Sequence, residues 1–177
     1  MPEIIHIAAM WSLSHYPSPE AEWPMERKFE AAREAGFDGV CLRDARPYRE
    51  TLEKLGLRYA GLFDAGDPDE FTDLVSIQKE AGSGPVDVQL ADHDTPVDHA
   101  IDLCVRLIEE GERQGVDLHV EMHRDTCTET PEKMFAIAEG YERRTGEILP
   151  ICWDHSHFLV VKHLNPSDFS KRVLTHP

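Results

Sequence analysis

The sequence predicts a parallel α/β fold of TIM-barrel type, a single domain over residues 1–177 that is incomplete, with about six βα units. Three observations predict it. Short apolar runs alternate with segments of helical spacing, each unit about 30 residues long. No GxGxxG or GxxxxGK[ST] loop follows the first run, which argues against a nucleotide-binding open sheet. Two of the later strands place polar side chains on one face only, as a barrel strand does where it looks into the site at its C-terminal end.

Ile4 to Ala9 reads as a buried first strand, and Met25, Phe29 and Ala32 give the helix behind it, which stops at Gly36. Phe37 to Leu42 is the second strand, followed by a short helix through Tyr48, Leu52 and Leu55 to Gly56. Leu57 to Phe63 is the third. Asp67 is placed to cap the next helix, with Pro68 at its first position and Glu70 closing a capping box; Phe71, Leu74 and Ala81 carry it to Gly82. Val86 to Leu90 alternates as a fourth strand, and Thr95-Pro96 opens a helix through Val97, Ile101, Cys104 and Ile108. A fifth strand follows Gly115. Thr130-Pro131 opens a helix through Met134, Ile137 and Tyr141, Leu149 to Trp153 is a sixth strand, and Asn165-Pro166 opens a last helix.

The fifth strand carries the chemistry. At a period of two, Leu118, Val120 and Met122 share one face while His119, Glu121 and His123 share the other. Burying unpaired polar groups costs ~2 kcal/mol or more each, so a face of two imidazoles and a carboxylate implies a ligand, a metal or water. The fourth strand repeats the pattern, with Asp87 and Gln89 opposite its valines and His93 just beyond.

Composition narrows the function classes. Apolar residues make up 41% of the 177, enough for a core, whereas 34 acidic against 18 basic residues give a formal charge of -16. Such a surface repels phosphate backbones and anionic membranes, so neither nucleic acid nor membrane is an expected partner. The four cysteines form no CxxC pair, and neither a signal-type leader nor a run of about 20 apolar residues occurs. A soluble, cytoplasmic protein is the expectation.

Polar residues gather where successive strands finish: His93 after the fourth, Glu121 and His123 on the fifth, and Asp154 and His157 after the sixth. Neighbouring strands run ~4.8 Å apart, so Glu121 and Asp154 can share a divalent cation such as Mn, Mg, Co or Zn. The ordinary alternative for Glu121 is a buried ion pair with Arg124 or Arg43; for Asp154 it is a helix or loop cap. His119, deeper in its strand, reads as a hydrogen-bonded core histidine, and Cys127 as a packed one.

The runs Val120-Glu121-Met122-His123-Arg124-Asp125 and Asp154-His155-Ser156-His157 resemble the xylose isomerase-like TIM-barrel superfamily, which includes sugar isomerases, ketose 3-epimerases and AP endonucleases. Trp11-Ser12-Leu13 and Glu34-Ala35-Gly36-Phe37-Asp38-Gly39-Val40 resemble its first βα unit. The resemblance implies a metal-binding glutamate that also acts as acid or base at Glu121, a metal-binding aspartate at Asp154, and at His157 a histidine that contacts substrate or a second metal. The family's remaining ligands, on its seventh and eighth strands, have no counterpart among the six units.

The function this implies is a divalent-metal-dependent isomerase or epimerase of sugars or sugar phosphates, moving a proton next to a polarised carbonyl, with Glu121 as its base. His123, Arg124 and His93 would orient hydroxyl or phosphate groups. Two other readings stand beside it: an AP endonuclease-like phosphodiesterase, which the acidic charge disfavours, and a non-catalytic incomplete barrel that binds metal or metabolite. A complete barrel has eight units in roughly 250 residues. Six leave strand edges exposed, so self-association is expected.

Overall fold

The computed structural model of the chain describes residues 3–162. Six strands, β1 (Ile7–Ala9), β2 (Gly39–Leu42), β3 (Arg58–Ala65), β4 (Val86–Leu90), β5 (Leu118–Glu121) and β6 (Ile151–Cys152), lie in sequence order in one sheet. Every neighbouring pair is parallel. Helices α1 (Met25–Glu34), α2 (Arg49–Leu55), α3 (Phe71–Ala81), α4 (Val97–Gln114) and α5 (Pro131–Thr145) make the crossovers that parallel pairing requires. A further helix, α6 (His155–Lys162), follows β6 directly. The expected helix start at Asn165-Pro166 lies outside the described residues.

One face of the curled sheet is the core. Val86, Val88, Leu90, Leu118 and Val120 are buried against Ile101, Cys104, Leu107 and Ile108 of α4, while Val40 and Tyr59 pack on Phe29 and Ala32 of α1 and Leu52 of α2. Each large side chain so buried contributes about 1.5–3 kcal/mol. The alternation of β4 and β5 then places Asp87, Gln89, His119 and Glu121 on the opposite, inward face.

Both outer strands are shorter than the sequence suggests. β1 begins at Ile7, not Ile4, because β2 supplies a first partner only at Gly39, opposite Ile7. Ile4 and Ile5 are left 77% and 40% exposed. β1 is also half-buried rather than buried, since among the described residues it pairs only with β2. Asp67 does cap the start of the third crossover, but its Oδ1 accepts from Asp69 N (3.0 Å) and the first turn, Pro68–Glu70, is a 3-10 turn. α4 ends as the sequence predicts, on Gly115 in the left-handed region (φ 74°), and the chain reverses there into β5. Among the described residues no helix is long and apolar enough to cross a membrane.

Candidate metal and proton-transfer site

Register brings the polar residues together. Val88 pairs with Val120, so the next positions along β4 and β5 set Gln89 beside Glu121, and Glu121 pairs onward with Cys152 of β6. Gln89 Nε2 donates to Glu121 Oε2 at 3.0 Å. Glu121 is only 9% exposed. Burial is the main force raising its pKa; the Asp87 and Asp154 carboxylates push the same way, while the Gln89 hydrogen bond and His123 oppose it. Asp87 is raised too, again chiefly by burial.

The ion pairs weighed as the alternative for Glu121 do not form among the described residues. Arg43 Nη1 meets Asp64 Oδ2 at 2.6 Å, and Arg124 Nε faces Asp125 Oδ2 at 3.8 Å. Glu121 therefore keeps a neutral amide, not a guanidinium, as its hydrogen-bond partner.

Asp154 has two tasks, one per oxygen. Oδ1 accepts from Ser156 N at 2.7 Å and caps α6, while Oδ2 faces His157 Nε2 at 3.3 Å. Capping and site geometry are thus the same feature: the i,i+3 helical spacing started by the cap carries His157 back over Asp154. Burial, and then the neighbouring His123, lower the His157 pKa, and a lowered pKa favours the neutral imidazole. The two rings lie 3.9 Å apart between centroids.

Glu121, Asp154 and His157 each offer a ligand atom within 4.8 Å of the others. His157 Nδ1 is buried with no hydrogen-bond partner among the described residues. Two carboxylate oxygens and an imidazole nitrogen suit a divalent cation, whose bonds of roughly 2.0–2.3 Å span such a spacing with small side-chain movements. The donor set fits.

The loop after β5 fixes this wall from behind. Thr128 Oγ1 donates to the Glu121 carbonyl at 2.6 Å and accepts from His123 N at 3.4 Å, and Thr126 Oγ1 donates to the His123 carbonyl at 2.7 Å. Cys127 N bonds the Leu90 carbonyl at 3.1 Å, tying the loop to β4. Cys127 is buried, and burial pushes its thiol up to about 12, so it is a packed residue.

The remaining candidates divide. His123 stands against His157, its Nδ1 2.5 Å from the Arg124 carbonyl, and Arg124 extends at the exposed rim. His93 stands in an exposed turn, 2.5 Å from Asp92 and grouped with Asp94, in a second acidic cluster. His119 bonds Asp117 at 3.1 Å. Gln89, Asp87, Thr126 and Thr128 were not singled out as site residues by the sequence; for the first two, the alternation of β4 was the available signal.

A cavity of about 720 Å³ lies elsewhere. Ile5, Ile7, Leu57 and Tyr59 line it at the N-terminal ends of the strands, the end opposite Glu121. Barrel active sites sit at the C-terminal ends, so the polar face around Glu121 is the candidate site.

No protein-family profile matches the chain, and no curated protein sequence matches it. Solved structures do. The probable 3-DHS dehydratase AsbF of Bacillus anthracis superposes with a TM-score of 0.67 at 14% identity, over 96% of this chain and 69% of its own. A xylose isomerase-like TIM barrel protein from Mycobacterium smegmatis, in complex with magnesium, gives 0.66 at 20% identity, over 98% of this chain and 72% of its own. The chain has the xylose isomerase-like TIM-barrel fold. A D-psicose 3-epimerase, solved in the presence of D-fructose, shares that fold with a TM-score of 0.65 at 11% identity, over 91% of this chain and 67% of its own. The chain thus spans about two thirds to three quarters of the length of these barrels, and its six strands form an incomplete barrel of that type.

Proposed function

We propose that the site belongs to a divalent-metal-dependent isomerase or epimerase of sugars or sugar phosphates. The observation that carries the reading is the grouping of Glu121, Asp154 and His157 within 4.8 Å, with Glu121 buried and its pKa raised. The magnesium complex and the epimerase solved in the presence of D-fructose, both among the similar structures, support it.

Glu121 and Asp154 would hold the cation, with His157 beside them. A bound Mn, Mg, Co or Zn ion supplies Lewis acidity that draws electron density from a carbonyl oxygen. Glu121, as carboxylate, takes the proton from the carbon next to that carbonyl and holds it as the carboxylic acid. It would then return the proton to the former carbonyl carbon while the neighbouring hydroxyl proton passes to the former carbonyl oxygen, so that charge and protons balance over the cycle. The raised pKa matters here: a carboxyl that binds a proton more tightly than a solvated one is the better base. His157, favoured in its neutral form by burial, can hold a substrate oxygen, and His123 and Arg124 at the rim can hold hydroxyl or phosphate groups. His93, in its exposed turn, would contact only a longer substrate.

Proton removal next to a carbonyl also opens the loss of water, the reaction class named for the dehydratase of the same fold. Product analysis separates the two. The test is NMR in D₂O with Mn²⁺ and a panel of ketoses and their phosphates. The reading predicts deuterium entering at the carbon beside the carbonyl, slowed by roughly 10²–10⁴-fold in Glu121→Gln. No exchange with the native chain across the panel would refute it.

A further inference from the structure

Two glutamines sit with their amides against the sheet, and they are used differently. Gln78 on α3 is 1% exposed, and both ends of its amide are engaged: Nε2 donates to the Arg43 carbonyl at 2.9 Å and Oε1 accepts from the Tyr59 hydroxyl at 2.7 Å. That is a structural role. Gln89 makes one side-chain hydrogen bond among the described residues, from Nε2 to Glu121 Oε2. Gln89 also borders a cavity of about 420 Å³ that Asp64, Asp92, Thr95 and His99 line.

We infer that Gln89 is a positioning residue for Glu121, acting through that one bond. This inference rests on the metal-dependent reading of the site. An amide donor anchors Oε2 and leaves Oε1 to face the cation and the substrate proton. A neutral donor also suits a carboxylate that must gain and lose a proton. An arginine in its place would hold Glu121 ionised and compete with the cation for its oxygens, and the two nearby arginines are engaged with Asp64 and Asp125 instead. Register makes the contact reproducible: Gln89 and Glu121 are cross-strand neighbours on β4 and β5, and both strands are fixed by the buried valines on their other face. Hydrogen bonds behind metal ligands typically set affinity by 10–100-fold.

The test is a Co²⁺ titration of the metal-free chain, read by calorimetry and by the visible absorption of the bound ion, for native protein, Gln89→Met and Gln89→Ala. Two variants are used so that one of normal fold is available, as judged by thermal unfolding without metal. The expected result is Co²⁺ affinity lower by about 10–100-fold with an altered absorption spectrum, while unfolding without metal is unchanged. Native binding with the same affinity and spectrum in both variants would overturn the role of Gln89 and leave the metal reading standing. Absence of Co²⁺ binding by the native chain would overturn the metal reading itself, and this inference with it.

Discussion

Two clusters among the described residues have the same composition, two carboxylates and a histidine within 4.8 Å: Glu121, Asp154 and His157, and Asp92, His93 and Asp94. The first is buried or half-buried; all three residues of the second are exposed. In the first, one carboxylate projects from a strand whose other face is core, and its pKa is raised by burial. The second sits in a turn where water screens its charges and solvates them at little cost. Residue types do not make a site. A framework that holds like charges together against their desolvation does, because a cation then relieves what the fold has imposed.

That contrast can be broken at its support. Met122 is fully buried directly after Glu121 and packs on Met134 and Phe135 of α5. Met122→Ala is expected to cost about 2–5 kcal/mol in urea unfolding and to weaken cation binding at Glu121. A loss under 1 kcal/mol would mean the wall does not depend on its rear packing.

A smaller effect is expected at Thr128, whose hydroxyl ties the Glu121 carbonyl to His123 N. Thr128→Val keeps the shape and removes both bonds, with an expected loss of about 1–3 kcal/mol. Unchanged stability would show that the loop holds the site without them.

The third prediction concerns pH. Burial raises the Glu121 pKa in the folded chain above its unfolded value near 4.3. The folded state then binds the proton more tightly, so the Glu121 contribution to stability falls as pH rises from about 4.3 through the raised folded value. Glu121→Gln is neutral throughout and escapes that loss. In EDTA it should be more stable than the native chain at pH 7, with the gap closing towards about pH 4. A native chain more stable than the variant at pH 7 would have the wrong sign for a desolvated carboxylate.

Much of this was legible in the sequence. The two-residue period of Leu118 to His123 marks a strand with one polar face; the structure buries Leu118, Val120 and Met122 as that period requires but ends the strand at Glu121, so His123 stands just beyond it and not on it. The D-x-x-H spacing of Asp154 and His157 was matched through the family resemblance, whereas the helix that makes them meet across one turn, α6 from His155, starts ten residues before the expected Asn165. Other features depend on long-range partners that no local pattern encodes. Gln89 reaches Glu121 only because β4 and β5 pair in one register, and a slip of one residue would turn it into the core. The hydroxyls of Thr126 and Thr128 read as ordinary loop residues until the left-handed turn at Asp125 (φ 62°) brings them back under Glu121 and His123. His93 shows the converse: its place just past β4 suggests the strand-end ring, whereas the turn engages it with Asp92. The short outer strands follow from where their described partners begin, β2 meeting β1 first at Gly39 opposite Ile7, which is a property of the sheet and not of Ile4 or Ile5.

The central claim is tested most directly by titrating the metal-free chain with Mn²⁺ in a calorimeter, alongside Glu121→Gln, Asp154→Asn and the double variant Asp92→Asn/Asp94→Asn. The account predicts one site of roughly micromolar affinity, lost in the first two variants and unchanged in the third. Binding that survives Glu121→Gln, or that disappears with Asp92 and Asp94, would contradict it.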